Sequence, residues 1–295
     1  MAVRPVRLGS LGSMAAIEVD ALHKRYGEVQ ALDGVSFDVA EGEIFGLLGP
    51  NGAGKTSTVE ILEGYRERDS GSVSVLGEDP AQAGGAWRER IGVVLQSSSL
   101  YETLTVREHL SHFAGYYERP REVDEVIDVV GLAEKHEARV RTLSGGQRRR
   151  LDLGLALIGD PEVVFLDEPT TGFDPEARRR AWDTIDSLRK LGKTILLTTH
   201  YLEEAERLSD RVAVVRDGEI VALGPPAELT ASLPATEVRF RRNGQEVVLH
   251  TEEPTRLLHE LTEEAMKAGR ELEGLQVRRA SLEDVYLALT ERSGE

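Results

Sequence analysis

The sequence predicts an α/β fold built on a largely parallel sheet, followed by a small C-terminal α/β domain. Three observations carry that prediction. A glycine-rich phosphate-binding loop lies between an apolar strand and a helix, β and α patterns alternate along most of the chain, and the text turns charged and short-period after Gly224-Pro225-Pro226. A length of 295 residues suits one large domain with an appendage.

In chain order, short apolar runs at 17–22, 35–39, 44–48, 73–76 and 91–95 are bounded by Gly-rich turns and read as buried strands. The run 44–48 ends in a glycine loop, after which Thr56, Val59, Leu62 and Glu63 fall at helical spacing. From 106 to about 157 the pattern is helical, through Leu104, Leu110 and Phe113 and then Val126, Val129, Val130 and Leu132, which marks a helical insert. Strands return at 163–166, 195–198 and 212–215, separated by charged helices over 175–191 and 201–208. Past the Pro pair come strands at 237–241 and 246–250 and a helix over 254–268. A last helix begins at Ser281, where Ser281 and Asp284 form a capping-box pattern ahead of Leu282, Val285, Tyr286 and Leu289. The expected division is a disordered leader over 1–14, a main domain over 15–225 with its helical part near 97–157, and an accessory domain over 226–295.

Composition excludes several classes of function. With no cysteine there is neither a disulfide framework nor a thiolate metal site, which suits a reducing cytoplasm. The formal net charge of −16 opposes adhesion to nucleic acid or an anionic lipid surface, so no nucleic-acid partner is expected and membrane attachment should run through protein. The apolar runs fall far short of the roughly 20 residues that a membrane-spanning helix needs. The stretch 1–13 lacks the apolar segment of a secretory signal, and Met14 could serve as an alternative start. The runs Arg148-Arg149-Arg150 and Arg178-Arg179-Arg180 read as solvated helix faces or partners for local carboxylates.

The chemistry sits in a few short motifs. Gly49-Pro50-Asn51-Gly52-Ala53-Gly54-Lys55-Thr56 satisfies the P-loop pattern: glycines let backbone N–H groups converge on phosphate at a helix N-terminus, where the dipole adds attraction. Lys55 would neutralise the β and γ phosphates and the Thr56 hydroxyl would hold Mg²⁺. The run 163–166 delivers Asp167 and Glu168 at a strand's C-terminal end, where ligands bind in open α/β sheets; Asp167 should face the metal and Glu168 an attacking water. In Leu143-Ser144-Gly145-Gly146-Gln147, Ser144 and Gln147 fit a helix-capping box whose free N–H groups suit an anion.

This order of motifs resembles the nucleotide-binding subunit of ATP-binding cassette (ABC) transporters over about residues 15–225. The resemblance implies a P-loop ATPase core with a mostly parallel sheet, an antiparallel β subdomain and a helical subdomain bearing the Leu-Ser-Gly-Gly-Gln signature. It further implies that the segment from Gly49 to Ser57 binds ATP, that Tyr26 stacks on adenine, and that Gln96 touches Mg²⁺ and water. Ser144, Gly145, Gly146 and Gln147 would complete the site of a second cassette, Asp174 would belong to the loop crossing between paired cassettes, and His200 would face the γ-phosphate. Catalytic roles then fall to Glu168, His200, Lys55 and Gln96, and metal contacts to Thr56, Gln96 and Asp167. Phe173 departs from the family, where many cassettes carry Leu. The close over 281–290 and the phrase Thr198-Thr199-His200-Tyr201-Leu202-Glu203-Glu204-Ala205 are similar to cassettes of daunorubicin-resistance (ABC-2) drug exporters. The implied protein is a peripheral subunit on the cytoplasmic face of the membrane, pairing with a second copy and with a permease of about six spans. The alternatives are a non-transport cassette ATPase acting on ribosomes or DNA and an importer ATPase.

Overall fold

A computed structural model describes residues 15–94, 100–231, 236–242, 244–279 and 281–291; the expected leader and Gln96 lie outside them. The chain opens with antiparallel strands β1 (Ala15–Tyr26) and β2 (Val29–Ala40), closed at Tyr26↔Val29 by a turn in which Gly27 takes φ 57°. β3 (Ile44–Leu48) is buried at every residue and runs through the glycine loop into α1 (Lys55–Leu62). β4 (Ser70–Val75) pairs with β1, and the short helix α2 (Gly85–Arg88) buries Trp87, whose Nε1 donates to the Val75 carbonyl at 2.9 Å. β5 (Ile91–Val94) precedes the helical insert: α3 (Val106–Ala114), α4 (Val123–Val129), two short 3₁₀ turns and α5 (Gly145–Leu157).

Then follow β6 (Val163–Asp167), α6 (Pro175–Lys190), β7 (Thr194–Thr199), α7 (Leu202–Leu208), β8 (Arg211–Arg216) and β9 (Glu219–Gly224). The six-stranded sheet has the order β5-β6-β7-β3-β8-β9, with parallel pairing from β5 through β8. β3, β6 and β7 carry no alternation because both faces are covered, as parallel strands require. Leu110, Val126, Leu151, Val164, Trp182 and Leu197 join the insert, the sheet and α6 in one apolar core. The antiparallel sheet β2-β1-β4 is separate, and the Phe37 and Phe45 rings stack at 5.0 Å between β2 and β3.

The chain divides into two compact units between Ile220 and Val221, within β9. The second contains α8 (Pro226–Ala231), β10 (Thr236–Arg242), β11 (Gln245–Thr251), α9 (Pro254–Lys267), β12 (Glu273–Arg279) and α10 (Leu282–Glu291). Its antiparallel sheet, β11-β10-β12, buries Val238 and Phe240 against Leu261 of α9. The Ser281 cap differs from the reciprocal pattern: Asp284 accepts from both the Ser281 N–H and the Ser281 hydroxyl, each at 2.9 Å, so one carboxylate makes both bonds.

So small a core leaves little reserve. Phe240→Ala should cost about 3–5 kcal/mol and abolish cooperative unfolding of the C-terminal unit. Limited proteolysis should then cleave beyond residue 221 while nucleotide binding by the larger unit persists.

Candidate functional site

Three neighbouring parallel strands, in the order β6-β7-β3, end at one edge of the sheet. Register aligns their C-terminal ends, with Leu48 opposite Thr199 and Asp167 opposite Thr198. The phosphate-binding loop, the Asp167-Glu168 pair and His200 therefore emerge side by side, where open α/β sheets bind ligands.

The loop is fitted to its glycines. A Cβ on Gly49 would lie 2.3 Å from the Val215 carbonyl oxygen, and one on Gly54, at φ 101°, would lie 2.5 Å from that of Ala31. Lys55 is buried; its Nζ donates to the carbonyls of Gly49 at 2.8 Å and Pro50 at 3.1 Å and lies 3.4 Å from Glu168 Oε1. Burial lowers the Lys55 ammonium below its ordinary pKa, an effect that the charges of Glu168 and Asp167 partly offset.

Asp167 Oδ1 accepts from the Thr198 hydroxyl at 2.5 Å, and its Oδ2 lies 3.4 Å from Thr56 Oγ1. Glu168 adopts φ 46°, a left-handed conformation rare for a side chain of this size. Its N–H bonds to the Thr198 hydroxyl at 3.0 Å and to the Thr198 carbonyl at 3.2 Å, which holds the strained residue in place. The Glu168 carboxylate accepts from Thr171 Oγ1 at 3.0 Å and lies 3.3 Å from His200 Nδ1, without hydrogen-bond geometry. Burial pushes the Glu168 carboxyl up, but the Thr171 hydroxyl, Lys55 and His200 together outweigh it and leave the pKa below the ordinary value. At neutral pH it is a carboxylate.

The contacts of Lys55 with Glu168 and of Thr56 with Asp167 join sequences separated by more than a hundred residues. The matches to known proteins decide what they belong to. The chain is 41% identical to Nod factor export ATP-binding protein I of Ralstonia nicotianae, over 96% of each protein. This chain belongs to the ABC transporter ATP-binding family. It is also 39% identical to daunorubicin resistance ATP-binding protein DrrA3 of Streptomyces coeruleorubidus, over 93% of this chain and 96% of that one. The ABC transporter family model matches residues 32–171, and an ABC transporter domain-containing protein-like C-terminal domain matches 224–281. A solved structure of the ATP binding subunit of an ABC transporter superimposes with a TM-score of 0.67 at 25% identity, over 93% of this chain and 99% of that one. The structure of cbiO1 from Clostridium perfringens, part of the ABC transporter complex cbiONQ, gives 0.66 at 27% identity, over 74% of this chain and 91% of that one. The chain is accordingly an ATP-binding subunit of the ATPase class, with the P-loop ABC fold that its motifs imply.

Around this ABC core, Tyr26 stands at the end of β1, 38% exposed. Its hydroxyl lies 3.2 Å from Ser57 Oγ, and Arg66 and Lys24 approach the ring at 5.2 and 5.5 Å. Asn51 and Gly52 are exposed, and Ala53 is buried. Ser144 caps α5 in a reciprocal box, with Gln147 N–H donating to its Oγ at 3.3 Å and its own N–H donating to Gln147 Oε1 at 2.9 Å. Ser144, Gly145, Gly146 and Gln147 line a cleft of about 570 Å³ together with Glu168 and Asp174. Asp174 caps α6, its Oδ1 accepting from the N–H groups of Glu176 at 2.9 Å and Ala177 at 2.8 Å.

Several residues that support the site carry no local sequence signal. Arg149, expected on a solvated face or as a partner for local carboxylates, is drawn inward, where it feels the charges of Asp152 and Asp167 and donates to the carbonyls of Asp167 at 3.0 Å and Pro169 at 3.2 Å, tying the signature helix to the end of β6. Thr198 organises both acids. Glu63, at the end of α1, is a strongly displaced carboxyl: burial raises its pKa to about 8, and the charges of Asp167 and Glu60 add to the rise.

The sign for Glu63 follows from linkage. The folded chain holds this proton more tightly than the unfolded one, so its contribution is fully present below the ordinary value of 4.5 and is lost as pH rises to about 8. The melting temperature of the nucleotide-free chain should therefore fall more steeply across that window than that of Glu63→Gln. Parallel curves for the two proteins would remove the assignment.

Proposed function

We propose that this chain is the ATP-hydrolysing subunit of an exporter, in which two copies close over two Mg-ATP and move the helices of a separate membrane permease. The observation that carries the reading is the meeting of Lys55, Asp167, Glu168 and His200 at the ends of three adjacent strands. The direction of transport rests on the export and resistance named for the relatives. No helix among the described residues is long and apolar enough to cross a membrane, which agrees with a partner that does.

In this mechanism the triphosphate lies against the N–H groups from Gly49 to Ser57, with Lys55 on its β and γ oxygens and Tyr26 against the adenine. The residues present fit a hard cation. Thr56 Oγ1 and Asp167 Oδ2, at 3.4 Å, are too far apart to satisfy each other well, and Mg²⁺ sites commonly take one carboxylate with phosphate and water. Bound there, Mg²⁺ would supply charge neutralisation at the phosphates, with Gln96 expected beside it. Glu168, ionised and oriented by Thr171, takes a proton from the water attacking in line with the γ-phosphate. His200 faces the same phosphate. From the second copy, Ser144 and the N–H groups at the start of α5 face that phosphate, and Asp174 lies at the crossing between copies. Reopening after hydrolysis resets the permease. The domain boundaries follow the same division, an ATPase core to about 225 and an accessory unit beyond it.

Glu168→Gln should bind ATP normally, lose turnover by a factor on the order of 10²–10⁴, and migrate as an ATP-dependent dimer in gel filtration. Steady rapid hydrolysis by this variant removes Glu168 as the base. Tagged chain recovered from mild-detergent extracts of its native host should carry a stoichiometric polypeptide with about six spans, each of roughly 20 apolar residues. Recovery with ribosomal proteins or nucleic acid instead would overturn the transport reading.

A further inference from the structure

The side chain next to His200 in sequence is also its neighbour in space. The Tyr201 and His200 rings lie 4.1 Å apart by centroid, tilted 41°, and the Arg178 guanidinium stands 4.1 Å from the centroid of the same Tyr201 ring. Among the described residues, His200 Nδ1 and Arg178 Nε are both buried without a hydrogen-bond partner. Beside the Glu168 carboxylate, 3.3 Å from His200 Nδ1, it is ring contact with Tyr201 that fixes the imidazole, and cation–π attraction to Arg178 that fixes the Tyr201 ring.

The Arg178 side of the stack is itself anchored. One turn further along α6, Trp182 Nε1 donates to Glu204 Oε1 at 2.9 Å, and the same oxygen accepts from Thr170 Oγ1 at 2.7 Å. Glu204 is wholly buried on α7, and Arg207 lies over the Trp182 ring at 5.4 Å. Thus α6 and α7 are held together at two successive turns, 178 to 182 on one helix and 201 to 204 on the other.

We propose that Tyr201, held by Arg178, is a positioning residue for ATP hydrolysis that sets the orientation of the His200 imidazole. This deepens the preceding section and rests on its reading that His200 faces the γ-phosphate. Because Arg178 lies in the first turns of α6, the stack also links His200 mechanically to the helix that Asp174 caps. A misdirected imidazole lowers the rate of the chemical step and leaves ground-state ATP binding unchanged, since Tyr26 and the loop supply that binding.

The test compares Tyr201→Leu, Tyr201→Phe, Arg178→Gln and His200→Ala in the full-length chain, reading kcat and KM for ATP and the NMR signals of isotopically labelled histidine rings. Tyr201→Leu should lower kcat about tenfold with KM changed less than about twofold, and should shift the His200 ring signals as the ring current is lost. Tyr201→Phe should restore both, and Arg178→Gln should give an intermediate loss of about threefold. A kcat for Tyr201→Leu equal to the parent's, or a phenylalanine variant as impaired as the leucine one, overturns the positioning role. If the leucine variant does not fold, Arg178→Gln decides alone, and unchanged kcat with unmoved His200 signals overturns it. Full turnover by His200→Ala instead removes the underlying assignment of His200, an outcome distinct from failure of the stack.

Discussion

Strand β7 pairs in parallel with β3 on one side and β6 on the other, and the site follows from that pairing. Parallel ladders fix register along the whole strand, and a slip of one residue would turn Asp167 away from the Thr198 hydroxyl. The three strands must be apolar on both faces to lie inside the sheet, so polar chemistry is confined to their ends. At those ends the backbone leaves the ladder, and a glycine loop, an acid pair and a histidine can take conformations that a strand forbids.

Electrostatics at this edge works by opposition between burial and pairing. Desolvation acts against the charged forms of Lys55 and Glu168 alike; Glu168 offsets it in part for the ammonium, and the Thr171 hydroxyl, Lys55 and His200 together outweigh it for the carboxylate. Glu63 has no such partner among the described residues, and burial, with the neighbouring Asp167 charge, drives it toward the neutral form. The Glu168 and Glu63 carboxyls are thus displaced in opposite directions.

What could be read in advance was the local part. The phosphate loop needs only spacing, the acid pair only an apolar run before it, and the Ser144–Gln147 cap only three residues of separation, so each was legible and each forms. Thr198, Arg149 and Glu204 act through residues 18 to 34 positions away and look, in sequence, like an ordinary strand threonine and charged helix surface. The strands β9 and β12 escaped for a related reason. Their text, Glu219-Ile220-Val221-Ala222-Leu223-Gly224 and Glu273-Gly274-Leu275-Gln276-Val277-Arg278-Arg279, is that of edge strands, where solvent on one side weakens alternation and charge is tolerated. Gly274, at φ 65°, sits where the register of β12 with β10 shifts, a bulge that no short-range pattern announces.

The left-handed backbone of Glu168 has a consequence for how this enzyme tolerates change. Glycine, and to a lesser degree asparagine, relaxes at such an angle, so replacing the residue there releases local strain while removing the carboxylate. Under the role proposed for Glu168 as the base, selection for thermal endurance alone would favour loss of this side chain and selection for turnover would oppose it. Position 168 is a place where a more durable chain and a working one are different molecules.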